Sequence, residues 1–184
     1  KVSRLLAAAV KSGPTIPEAF DAFIVADDDN GDLSDGTPNS CAIIEAFSQH
    51  GLGPGGGGGA LVVLDHTPPT TAEPATDITL ELAGINLAPE CVDVTLEDAA
   101  VTFSTDGGES WDSVALSGEM ESLSGVIPAQ TEGTVVSYYF TLNAEGLASS
   151  KAPRGGEINP YTLYVGGLTE VYCEDFEDSD GGFT

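Results

Sequence analysis

At 184 residues the chain is long enough for one full domain and part of another. Its net charge of -25, with Lys1, Arg4, Lys11, Lys151 and Arg154 as the only cations, excludes nucleic acid and anionic membrane surfaces as partners, because both need a positive footprint. Hydrophobic residues make up 41% and fall in regular runs, which excludes a disordered polyelectrolyte, and no apolar run reaches the ~18 residues of a membrane span.

Such a charge leaves three readings open: a surface adapted to saline surroundings, capture of cations by part of the acid, or recognition of a basic partner. Ion pairs cannot hold the fold together, so apolar burial must. The chain opens on Lys1 without a methionine, signal peptide or transit segment. It closes on Phe183-Thr184 soon after a new element begins, and we expect an internal or processed piece of a longer, secreted product. Cys41, Cys91 and Cys173 match no zinc spacing; one disulfide and a leftover, or a partner cysteine elsewhere, are both open.

Residues 1–53 read as helical. VSRLLAAAVK (2–11) favours a helix and stops at Ser12-Gly13-Pro14. Thr15, Pro17 and Glu18 form a capping-box pattern for a second helix, with Phe20, Phe23 and Ile24 on one face. An acid-rich loop follows, from Asp27 to Gly36. Thr37 and Pro38 then announce a third helix, with Ile43, Ile44 and Phe47 as its buried stripe and Gly51 suited to end it.

Calcium takes six to eight oxygens from a flexible loop, and Asp28, Asn30, Asp32 and Asp35 alternate with suitable spacing. Counting from Asp28, however, Leu33 stands where an EF-hand has glycine and Asn39 where it has a bidentate glutamate. A calcium site and a solvated acidic turn beside a helix N-terminus both remain open.

Residues 54–60 are a glycine linker, after which the pattern changes to period two over 61–166. Strands are expected near 61–64, 77–83, 91–96, 99–105, 110–116, 119–127, 134–143 and 160–165. Val136, Tyr138, Phe140 and Leu142 should face one way, and Ser137, Tyr139 and Thr141 the other. A hairpin turns at Asp106-Gly107-Gly108 into Trp111. The fold class is mainly β: an antiparallel sandwich preceded by a short α-helical segment. Residues 167–184 read as the start of a further β module.

Phe20-Asp21-Ala22-Phe23, the run Gly31-Asp32-Leu33-Ser34-Asp35-Gly36-Thr37-Pro38, and Cys41 through Phe47 to His50-Gly51-Leu52-Gly53 together resemble the last helices of secreted zinc metallopeptidases of the thermolysin/fungalysin-like group. The resemblance covers about 1–53. It implies a zinc site and a catalytic glutamate on a His-Glu-x-x-His helix upstream, so zinc would belong only to that absent region. His50 and His66 are the sole histidines and neither has a partner at helical spacing, so no catalytic residue carries over.

Ser104-Thr105-Asp106-Gly107-Gly108-Glu109-Ser110-Trp111 fits the Asp-box pattern, in which the aspartate caps a hairpin and the tryptophan packs beneath it. With Ile127-Pro128-Ala129-Gln130 and Gly133 to Tyr139, the region 65–165 resembles a bacterial immunoglobulin/fibronectin-III-like module. The expected role is a non-catalytic accessory segment of a secreted, multidomain, metallopeptidase-like protein: spacer, presentation or substrate-positioning module. Its partners would be other domains of the same polypeptide. One alternative is a structural subunit that self-assembles through sandwich edges into a fibre or surface layer. The other is a carbohydrate-binding module, for which a buried Trp111 would leave too few exposed aromatics.

Overall fold

The computed structural model describes residues 2–16, 18–54 and 61–167. Three short helices, α1 (Val2–Lys11), α2 (Ala19–Asp27) and α3 (Ser40–Ser48), precede ten strands. These are β1 (Val62–Asp65), β2 (Thr71–Ala72), β3 (Ile78–Asn86), β4 (Leu96–Ser104), β5 (Asp112–Ala115), β6 (Ser117–Glu119), β7 (Ser122–Ile127), β8 (Val135–Ala144), β9 (Ser150–Ala152) and β10 (Tyr161–Val165). The expected stretches at 54–60 and 167–184 fall largely on residues 55–60 and 168–184, outside the described ones.

The strands form a sheet in the order β1-β3-β7-β6 and a second in the order β2-β10-β8-β4-β5, with β9 also on β8. Alternation builds the core between them: Val136, Tyr138, Phe140 and Leu142 of β8 are buried, as are Leu80 and Leu82 of β3 and Val101 and Phe103 of β4. Each such side chain contributes about 2 kcal/mol by leaving water, more than an exposed ion pair supplies. Among the described residues the ion pairs involve Arg154 alone, on Asp21 at 2.9 Å and Glu18 at 3.9 Å. The fold is therefore mainly β, a two-sheet sandwich held by apolar burial.

Several local expectations are corrected. Residues 91–95 are irregular rather than a strand, because Cys91 is tied to Cys41 and the Asn86 amide donates to the Val92 carbonyl at 2.8 Å. The stretch 119–127 is two strands, β6 and β7, reversing at Met120-Glu121. The sheets are not purely antiparallel, since β2 pairs in parallel with β10. Thr37 does not cap α3: Asn39 precedes it, and the buried Thr37 hydroxyl has no hydrogen-bond partner.

The helical segment shares a second core with the sandwich's lower end. Phe20 and Ile24 of α2 and Ile43 of α3 bury against Leu61, Leu87 and Ala88, and Phe47 meets Phe20 and Phe23 edge to face at 5.7 and 5.3 Å. Cys41–Cys91 crosses the same boundary, joining α3 to the loop before β4. Away from this core, Leu6, Val10, Ile16 and Val25 are exposed.

Candidate functional site

The acidic loop folds on its own backbone. Asp28 Oδ1 accepts from the amides of Asn30 and Gly31, Asn30 Oδ1 from that of Asp32, and Asp32 Oδ1 from the amide and hydroxyl of Ser34. The Asn30 amide nitrogen donates to Asp35 Oδ2 at 2.9 Å, so Asn30 and Asp35 do meet. The bonds from Ser34 hold the Asp32 carboxyl below its ordinary range. Among the described residues, no three His, Cys, Asp or Glu side chains are grouped to hold a metal ion.

The acid with the clearest structural task is Asp27, at the end of α2. It is 7% exposed, and its two oxygens accept from the Asn39 backbone amide at 2.6 Å and the Asn39 side chain at 2.5 Å. It thus caps the start of α3, where a negative charge also meets the positive end of the helix. Only the fold reveals this, because the bond spans twelve residues and bypasses the nearer Thr37.

The Asp-box residues close the β4–β5 hairpin. Asp106 accepts from the Ser110 hydroxyl and amide and from the Ser104 hydroxyl, which together hold its carboxyl far below the usual carboxylate range. Gly107 and Gly108 supply the turn's positive φ angles, +78 and +93. Trp111 does not lie buried beneath the hairpin. It is partly exposed and leans on Tyr139 of β8, ring centroids 5.3 Å apart.

His66, just past β1, is a polar group that sequence patterning did not single out. Its Nδ1 lies 2.6 Å from the Glu81 carbonyl and its Nε2 2.9 Å from the Tyr138 hydroxyl, within a cage of Tyr138, Phe140 and Tyr161 rings. A carbonyl only accepts, so Nδ1 carries the proton and Nε2 accepts from tyrosine. Burial pushes the imidazole down and both phenols up. A cleft of about 500 Å³ opens beside it, bordered by Asp65, Glu81 and Glu121. His50, by contrast, is exposed beyond the end of α3.

No protein-family model matches the chain, and no curated protein does. Among solved structures it is similar to the cycloalternan-forming enzyme of Listeria monocytogenes, at 14% identity and a TM-score of 0.39, over 55% of this chain and 10% of that one. The superoxide reductase (neelaredoxin) of Ignicoccus hospitalis is similar at 11% identity and a TM-score of 0.40, over 76% of this chain and 100% of that one. The chain thus spans about a tenth of the Listeria protein's length, and likeness at this level assigns no family or activity. No helix among the described residues is long and apolar enough to cross a membrane.

Proposed function

We propose that this chain is a non-catalytic accessory segment of a secreted, multidomain, metallopeptidase-like protein. In this reading its sandwich is an immunoglobulin/fibronectin-III-like module that spaces, presents or positions what the rest of the polypeptide acts on. The observation that carries the reading is the clamp between helices and sandwich. The Cys41–Cys91 disulfide and the core of Phe20, Ile24, Ile43 and Leu87 fix the two parts to each other, as a rigid spacer requires. A disulfide of this kind also suits an oxidising compartment. The exposed Leu6, Val10, Ile16 and Val25 suit helices that continue a larger packed domain.

Calcium at the acidic loop belongs to the same proposal. An ion there would draw Asp28, Asn30, Asp32 and Asp35 around itself and replace their present hydrogen bonds. Its support is the density of exposed oxygen donors in a short loop.

The test is an assay of the chain with zinc and casein, alongside peptide mapping of the unreduced protein. No cleavage and a recovered Cys41–Cys91 linked peptide are expected. Zinc-dependent proteolysis would overturn the non-catalytic assignment, and free thiols at both positions in secreted material would remove its main support. For the loop, calcium should raise the melting temperature of the wild type and not of an Asp28→Asn, Asp32→Asn variant.

A further inference from the structure

The outer face of the β10-β8-β4 sheet carries a concavity of about 700 Å³, within the size range of small-molecule sites. Trp111, Gly108, Ser137 of β8, Glu157, Ile158 and Pro160 line it. Trp111 and Ser137 are both partly exposed, and Ile158 is 89% exposed, so the concavity presents apolar surface to water beside the Ser137 hydroxyl. Tyr139 buttresses the indole from the next outward position of β8.

From this geometry we infer that the cleft between Trp111 and Glu157 binds a neutral sugar ring of an oligosaccharide. A pyranose has an apolar C–H face and a rim of hydroxyls. The indole and Ile158 match the face, while the Ser137 hydroxyl and Glu157 carboxylate match the rim. Charge selects among ligands. The chain's net charge of -25 repels anions. The Lys151 ammonium already lies 5.6 Å from the Tyr139 ring centre and disfavours a second cation beside it. A neutral, hydroxyl-rich ring satisfies both conditions. The site stands whether or not the chain belongs to a peptidase-like parent, because it uses only sandwich residues.

Trp111 is the single tryptophan of the chain, so its emission reports on this cleft alone. The protein should be titrated with cello-, xylo-, manno-, malto- and N-acetylchito-hexaose, and separately with a hexa-arginine peptide. A saturable emission change is expected with at least one sugar and none with the peptide. Glu157→Gln, on an exposed turn, should weaken that binding about tenfold, the loss expected for one charge-assisted hydrogen bond. Trp111→Phe, followed by calorimetry, should weaken it at least as much. Silence with every sugar at millimolar concentration in both fluorescence and calorimetry would overturn the inference. So would a response to the peptide only, or sugar binding unchanged by Glu157→Gln and by Trp111→Phe.

Discussion

His66 Nε2 accepts the Tyr138 hydroxyl at 2.9 Å, and this bond gives the fully buried Tyr138 a polar partner inside an otherwise apolar core. The Tyr138 ring itself packs on those of Phe140 and Tyr161, at 5.8 and 5.4 Å between centroids. The bond also joins the two sheets, since His66 follows β1 and Tyr138 lies in β8.

The histidine makes stability depend on pH in a defined direction. Its folded pKa lies below the ordinary 6.5 because burial opposes the charge, although the Glu81 carbonyl and the neighbouring Asp65 pull the other way. A depressed pKa means that its contribution is fully present above 6.5 and is lost as pH falls through the folded value. Protonation also gives Nε2 a hydrogen where it now accepts one. His66→Phe should therefore cost about 1–3 kcal/mol at about pH 7.5, the cost of leaving a buried hydroxyl unpaired, and less at about pH 5. Urea unfolding of both proteins at the two pH values measures this. A penalty that grows on acidification would contradict the assigned roles of the two ring nitrogens.

How much of this was legible beforehand depends on the range of each interaction. Period-two burial is local, so the two faces of β8 and the turn at Asp106-Gly107-Gly108 follow from residue order. The calcium reading of Asp28, Asn30, Asp32 and Asp35 also rested on local spacing, and locally the first three accept from the loop's own backbone while Asp35 accepts from the Asn30 side chain. His66–Tyr138 spans 72 residues and Asp27–Asn39 twelve, and both depend on where the chain returns. The irregular 91–95 stretch misled for the same reason. Its apolar Val92 and Val94 look like strand residues, yet they pack on the helical core.

Asp27→Ala should lower stability by about 1–2 kcal/mol, the usual cost of losing a helix N-cap. The substitution leaves both the Asn39 amide and its side-chain nitrogen without their acceptor. Asp27→Asn should recover part of the loss, because it keeps one accepting oxygen. Thermal unfolding by circular dichroism separates the three proteins. Thr37→Val should be close to neutral in the same assay, since its hydroxyl is buried without a partner.

Gly84 in β3 is held to glycine by packing. A Cβ there would sit 2.8 Å from Met120 Cγ and 3.1 Å from Leu142 Cδ1. Met120 can swing aside, but Leu142 is 1% exposed and fixed in the core. Gly84→Ala should cost about 1–3 kcal/mol by overpacking. Adding Met120→Ala should recover some of that, because it removes the nearer obstruction. A double-mutant cycle in urea reads the coupling.

The Cys41–Cys91 bridge closes a loop of 50 residues' separation and crosses the boundary between helices and sandwich. Its removal by a paired Cys41→Ser, Cys91→Ser change should cost about 2–4 kcal/mol. The loss should not be uniform. The sandwich core of Leu80, Val101, Tyr138 and Phe140 does not touch the bridge, whereas Phe20, Ile24 and Ile43 meet the sandwich through the smaller core beside it, with the surface ion pair of Arg154 and Asp21 as a further tie. Amide exchange should therefore accelerate in α2 and α3 well before it does in β3, β4 and β8. Equal acceleration throughout would mean that the two cores unfold as one unit, and the bridge would then be a brace for the whole chain rather than a clamp at one boundary.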